Sequence, residues 1–168
     1  MTTRILSIAA LLAAFAGVAL AQDQSTPRDQ QDQGPVRQIG FRSSILGEHR
    51  TALIRTPVGY ETSDARYPVL YMTDGGAQFI HTCSTVEFLS RNERMPEMIV
   101  VAIENTDRTR DLTPTRIGGG ANGPQPHFAT SGGADRFLDF IQSELIPIVD
   151  ERYRTHPYRL FAGHSFGG

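Results

Sequence analysis

Three short apolar runs constrain the fold of this 168-residue chain more than any other feature. Tyr67-Pro68-Val69-Leu70-Tyr71-Met72 breaks off at Asp74-Gly75-Gly76, Met98 to Ile103 reads MIVVAI, and Leu160-Phe161-Ala162 stops at Gly163. Short runs that are apolar at consecutive positions suit strands covered on both faces, as in a parallel sheet. Helical patterns separate them. Thr82 to Arg91 offers Val86, Phe88 and Leu89 to one face, weakly. Ala134 to Tyr153 is stronger, with Phe137, Leu138, Ile141, Leu145, Ile148, Val149 and Tyr153 at steps of three and four. Ser131 is a candidate N-cap for that helix, Asp135 and Arg152 suit its dipole, and Pro147 should bend or interrupt it. Upstream, Val36–Ser44 and Arg50–Arg55 read as strands joined by the turn Leu46-Gly47-Glu48, a hairpin. The order strand, strand, strand, helix, strand, long loop, helix, strand predicts an α/β fold. Its sheet is mostly parallel with an antiparallel N-terminal hairpin. Glu104–Gly133 is expected to be a loop of some thirty residues, a length that usually marks function or disorder.

The first residues read as an address. Met1–Arg4 carries one positive charge, Ile5–Leu20 is nearly all apolar or small, and Ala19-Leu20-Ala21 supplies a small-x-small cleavage pattern. Residues 1–21 are therefore expected to be a secretory signal peptide, with export to a periplasm or the exterior. The apolar stretch falls short of the ~20 residues of a membrane span, so no span is expected after cleavage. Residues 22–35 (QDQSTPRDQQDQGP) hold no hydrophobic side chain and read as a disordered leader. The folded domain is expected over 36–168.

Composition excludes several chemistries. Sixteen basic against 18 acidic side chains give a net charge of −2, with no basic footprint for nucleic acid. Every basic residue is Arg, so Schiff-base lysine chemistry, a lysine general base and a Walker-type phosphate lysine are all excluded. The lone Cys83 permits no intrachain disulfide or thiolate metal cluster and reads as a buried apolar side chain. There is no H-E-x-x-H or paired-histidine spacing, so neither a metal nor a cofactor is expected. Gly118–Gly123 follows no buried strand and lacks the Lys-Ser/Thr ending of a phosphate loop.

One motif carries chemistry. Gly163-His164-Ser165-Phe166-Gly167 is G-x-S-x-G, directly after an apolar strand. A sharp turn at a strand's carboxyl end lifts such a serine hydroxyl clear of the sheet, and the two glycines relieve the crowding. Ser165 is the candidate nucleophile, and the N–H of Phe166 is one candidate oxyanion donor. The N–H of Gly75 or Gly76, after the third strand, is the other. Asp74 reads as a structural capping residue. Substrate contacts could come from Phe79 and His81, just past that turn, and from His164. Arg108 and Arg110 lie on the rim formed by Asn105–Arg116. They are either available to an anionic substrate or tied down by Asp–Arg pairs.

On these pieces the chain resembles the putative-esterase family of α/β-hydrolases, which includes esterase D and enterochelin-esterase-like enzymes and the mycolyltransferases. The matching segments are Leu46-Gly47-Glu48, Tyr67–Tyr71, Asp74-Gly75, Asn105–Pro114, Ser131-Gly132-Gly133, Glu144–Pro147 and Gly163–Gly168. The resemblance implies hydrolysis of carboxylic esters or thioesters through an acyl-serine. Two alternatives stay open: an acyltransferase on the same scaffold, and a non-catalytic hydrolase-like binding module. It also implies a triad in the chain order serine, acid, histidine. All five histidines (His49, His81, His127, His156, His164) precede Ser165. The expectation is thus the N-terminal part of such a domain, truncated after the elbow. Alone it should be inactive, with an open edge strand and exposed apolar surface. Short esters, thioesters, siderophore lactones and feruloyl sugars all remain open as substrates. Export favours the enterochelin-esterase-like branch, and oligomeric state is not readable from the chain.

Overall fold

A computed structural model describes residues 35–118 and 126–168. The signal peptide and nearly all of the leader, at 1–34, and residues 119–123 of the glycine run lie outside the described residues. Among the described residues no helix is long and apolar enough to cross a membrane.

The chain opens with the expected hairpin. Strand β1 (Val36–Arg42) pairs antiparallel with β2 (His49–Arg55), and Gly47 makes the turn at φ 75°. What fixes this turn is a distant carboxylate. Glu144 accepts hydrogen bonds from the Ser43 hydroxyl (2.5 Å), the Ser44 hydroxyl and the backbone N–H groups of Ser44 (2.8 Å) and Ile45 (3.2 Å). Burial pushes the Glu144 carboxyl up, but these hydrogen bonds outweigh it and hold the group below its ordinary 4.5. A carboxylate with a lowered folded-state value stabilises fully above the ordinary range and loses that contribution as pH falls through the lowered value. Glu144→Gln is therefore expected to cost about 1 kcal/mol at pH 7, the low end for charge-assisted bonds because the group is half in solvent. The gap should narrow as pH falls below the ordinary carboxylate range, where the parent progressively loses the same contribution. Urea midpoints of both proteins at neutral pH and below that range check this, and an equal gap at both would contradict it.

Strands β3 (Tyr67–Met72), β4 (Ile99–Ile103) and β5 (Thr155–Ala162) complete a five-stranded sheet of order β1-β2-β4-β3-β5. β3 runs parallel to both β4 and β5, while β2 meets β4 antiparallel. The apolar runs are explained by a core on each face of the sheet. Val69, Tyr71, Ile99, Val101 and Ile103 face one side with Phe137, Phe140, Ile141, Leu145 and Val149. Leu70, Met72, Met98, Val100 and Ala102 face the other with Phe79, Cys83 and Val86. Cys83 is buried, as its sequence reading expected.

Several elements differ from the sequence reading. Helix α1 runs Gly75–Arg91, seven residues earlier than the pattern suggested. Its buried stripe is Gly75, Phe79, Cys83 and Val86, and Phe88 is 66% exposed rather than on that face. Ile80 and Phe88 lie off the stripe and blur the period. The long loop contains a five-residue helix α2 (Arg108–Leu112), N-capped by Asp107, whose side chain accepts from the Arg110 N–H. α3 (Ala134–Phe140) is capped at Gly133, not Ser131. Ser131 is buried and accepts from the Ile117 N–H at 2.8 Å. A Cβ at Gly133 would lie 2.7 Å from Arg110 Cγ, so that corner needs glycine. The Pro147 break takes a definite form. A π-helical turn (Ile141–Leu145) intervenes before α4 (Ile146–Arg152), widening the helix where proline cannot donate its N–H. Finally, β5 is not covered on both faces. It has one hydrogen-bonded neighbour at the sheet edge, and Phe161 is 48% exposed.

Candidate active site

The site is built where β3 and β5 end side by side. Met72 is in register with Ala162, and the Thr73 N–H donates to the Ala162 carbonyl at 3.2 Å. Two residues beyond Met72 and three beyond Ala162, the backbone makes an abrupt turn after each strand. β4 and β5 flank β3 on opposite sides, so the carboxyl ends of β3 and β5 lie next to each other.

On β5 the turn is the G-x-S-x-G segment. Ser165 takes φ 60°, a left-handed conformation that costs a non-glycine residue about 1–2 kcal/mol. It opens a 3-10 turn (Ser165–Gly167) closed by the Gly167 N–H donating to the His164 carbonyl at 3.0 Å. Both glycines are sterically required. A Cβ at Gly163 would fall 1.5 Å from the Gly167 carbonyl oxygen, and one at Gly167 would fall 2.2 Å from Thr73 Oγ1. Ser165 is exposed. The Phe166 N–H lies inside the first turn, ahead of the bond that closes it.

On β3 the turn is Asp74, also left-handed at φ 58°, and it leads straight into α1. Gly75 and Gly76 are therefore the first two helical residues. Their N–H groups have no intrahelical acceptor and lie at the positive end of a 17-residue helix, where negative charge is favoured. Gly75 is glycine for a reason other than substrate approach. A Cβ there would lie 2.9 Å from both the Ala102 carbonyl carbon and the Ile103 oxygen of β4. At Gly76 the same atom would meet open space.

Asp74 does not cap α1 with its side chain. Its carboxylate instead accepts from Asn105 Nδ2 (2.6 Å) and from Arg108 Nε (2.7 Å) and Nη2 (3.1 Å). The Arg108 guanidinium holds the Asp74 carboxyl below its ordinary range, against the opposing push of burial, and Asn105 adds to the lowering. Arg108 Nη2 also donates to the His164 carbonyl (3.1 Å), and its guanidinium lies 5.3 Å from the centre of the Phe166 ring. Phe166 in turn packs against Phe128 at 6.1 Å.

The other candidates separate. Phe79 is a core residue, 5% exposed on the buried stripe of α1. His81 is exposed one turn along α1, away from that stripe. Arg108 spends Nε and Nη2 on Asp74 and His164, and its side chain stays about one-third (35%) exposed. Arg110 is occupied by Glu48 (2.6 and 3.0 Å) and Asp111 (2.7 Å), which is the Asp–Arg pairing considered as the alternative. His164 is exposed beside the serine and contributes its carbonyl to the turn. Sequence reasoning missed Asn105 and Thr73, whose partners lie 31 and 94 positions away and leave no local pattern. An apolar hollow lined by Leu112, Phe137, Leu138, Phe161 and Phe166 opens beside the elbow. Among the described residues no group of His, Cys, Asp and Glu side chains could hold a metal ion.

Residues 43–168 match the family described as "Putative esterase", and the chain belongs to that family. Among solved structures it is similar to an IroE-like serine hydrolase from Shewanella oneidensis. That likeness has 40% identity and a TM-score of 0.73, and covers 79% of this chain and 43% of that one. The siderophore hydrolase EstB from Aspergillus nidulans is 26% identical with a TM-score of 0.62, over 79% of this chain and 50% of that one. Among curated proteins, the uncharacterized protein YbbA of Bacillus subtilis (strain 168) is 28% identical over 131 residues, 73% of this chain and 51% of that protein. The chain thus spans about half the length of the relatives it matches.

Proposed function

We propose that this member of the putative esterase family is a serine hydrolase that cleaves carboxylic esters or thioesters through an acyl-serine on Ser165. The observation that carries the reading is the left-handed, exposed Ser165 at the carboxyl end of β5, between two glycines at which an added Cβ would collide with neighbouring atoms. A protein tolerates such strain where the geometry is used.

In this reading the Ser165 Oγ attacks the acyl carbon. Charge develops on the former carbonyl oxygen, which the Phe166 N–H and the free N–H groups at the start of α1 receive. A single preorganised donor of this kind contributes about 3 kcal/mol of transition-state stabilisation. The positive end of α1 adds to it at no cost in reorganisation. The alkoxide or thiolate leaves with a proton, and water then releases the acid. Both proton transfers need a general base, which the family resemblance assigns to a histidine after Ser165 in chain order. The likeness to an IroE-like serine hydrolase at 40% identity supports the serine chemistry, and the siderophore hydrolase EstB supports an ester of that class as substrate.

The test is covalent capture. A fluorophosphonate probe should add once per molecule to the protein that carries this chain. Peptide mass spectrometry should locate the adduct on Ser165, and Ser165→Ala should take up no probe. Labelling that persists in the alanine variant would defeat the reading.

A further inference from the structure

We infer that Arg108 is a positioning residue that joins the two halves of the oxyanion hole into one rigid unit. The inference rests on the serine-hydrolase reading above. The serine turn and the α1 turn both begin just past the last paired residues, Met72 and Ala162, and each hinges on a left-handed residue that would relax if released. One planar guanidinium spans the gap between them. On the β3 side, Nε and Nη2 make a two-point contact with Asp74, the residue immediately before the Gly75 and Gly76 donors. On the β5 side, Nη2 binds the carbonyl of His164, the residue before the nucleophile. The same group lies against the ring of Phe166, the residue after it. Arg108 therefore grips both neighbours of Ser165 and the anchor of the opposing donors.

The chemistry of the side chain suits this. Arginine presents its donors in a fixed fork, so three contacts on two elements define an orientation; lysine, with a compact head, cannot hold all three. Arg108 is itself fixed as the first residue of α2, whose N-cap Asp107 accepts from the Arg110 N–H at 3.0 Å. Nε and Nη2 of Arg108 are spent on protein oxygens, which gives the side chain a positioning role whether or not substrate is present. Removing it should loosen the relative placement of Ser165 and the donors and spare ground-state binding. A shift of about 1 Å in such a constellation costs roughly a hundredfold in rate.

The experiment compares Arg108→Ala and Arg108→Lys with Ser165→Ala and the parent, in the protein that carries this chain, on a chromogenic short-chain ester. The expected result for Arg108→Ala is kcat down about thirty- to a hundredfold with KM changed less than threefold. Arg108→Lys should recover the parent's melting temperature, because a cation still neutralises Asp74, yet recover little of kcat. Guanidinium ion added at millimolar concentration should restore part of kcat to the alanine variant and none to Ser165→Ala. Were Arg108→Ala to fold poorly, the lysine variant alone decides. Normal kcat in a folded Arg108→Lys protein overturns the clamp, and so does a loss carried by KM, which would mean that Arg108 binds substrate. An inactive Ser165→Ala beside fully active Arg108 variants overturns the clamp and leaves the serine reading standing. Turnover that survives Ser165→Ala overturns both.

Discussion

Gly163→Ala is expected to leave less than about a thousandth of the parent's ester turnover while the sheet stays folded. The added Cβ would sit 1.5 Å from the Gly167 carbonyl oxygen, a backbone atom that no rotamer change can move. Real contacts of this kind exceed 3 Å, so the turn itself must open. Opening displaces the Ser165 hydroxyl and the Phe166 N–H together. Misplacing a nucleophile and losing a donor each cost on the order of a hundredfold or more. Because the two act as a unit the losses do not multiply in full, and about a thousandfold is the conservative figure. Gly167→Ala should be milder. Its closest contact, at 2.2 Å, is with Thr73 Oγ1, the end of a side chain that can rotate, so Thr73→Ala should return part of the activity. Gly40→Ala, with nothing within 4 Å, serves as the inert control. Steady-state turnover beside far-ultraviolet circular dichroism checks all four proteins. A Gly163→Ala variant within tenfold of the parent would mean that the serine turn is not the reacting geometry.

That turn was legible in the sequence because its constraints are local. A side chain at Gly163 would meet the backbone of Gly167 only four residues on, and the apolar run before them says where the strand ends; the contact that restricts Gly167 itself, with Thr73, is distant. The hairpin, the strand order along the chain and the α/β class were legible for a related reason: period and turn chemistry are properties of short windows. What failed was whatever depended on distant packing. Gly75 read from sequence as a candidate oxyanion donor, whereas the backbone of β4, some 27 residues later, is what excludes its side chain. Once α1 begins at Gly75, Phe79 falls one turn in, on the same stripe as Cys83 and Val86, and becomes core. From sequence its aromatic ring beside a glycine turn read as pocket lining.

The arginines show the limit most clearly. A block containing Asp107, Arg108, Arg110 and Asp111 announces ion pairs, but spacing alone cannot assign partners. Arg108 reaches back 34 positions to Asp74, and Arg110 reaches back 62 to Glu48. The Asp107-x-x-Arg110 capping geometry of α2 was the one local cue that the loop held a helix. A five-residue helix is too short for a periodic signal. Pro147 illustrates the intermediate case. Proline chemistry predicted a disturbance, and only the packing of Ile141, Leu145 and Val149 against the sheet explains why the helix widens and continues.

The largest effect on stability is expected from Asp111→Asn, which should remove about 3 kcal/mol and lower the urea midpoint by about 1–2 M. Arg50 and Asp111 are each only 1% exposed and meet at 2.7 Å. Arg50 also reaches Glu48 at 2.9 Å and the Glu104 carbonyl at 3.2 Å, and lies against the rings of Phe137 and Phe140. Arg110 closes the cluster on Glu48 and Asp111. Two arginines balance two carboxylates. Asparagine keeps the volume of Asp111, so no cavity confuses the result, but it leaves a positive charge in excess beneath the aromatic rings. Uncompensated buried charge costs about 3–5 kcal/mol, and partly exposed Glu48 moderates it to the lower figure. Against a total of about 5–15 kcal/mol this is severe. Replacing the pair together, as Arg50→Met with Asp111→Leu, should recover at least half of the loss, because apolar substitutes leave no unpaired charge. Breaking Arg37–Glu61, whose side chains are 57% and 61% exposed, should change almost nothing. Asp111 also lies on α2, three residues beyond Arg108, so the asparagine variant should lose turnover at temperatures below its melting transition as the base of the Arg108 clamp loosens. Stability within about 0.5 kcal/mol of the parent would show that the cluster is solvated and adds little to the fold.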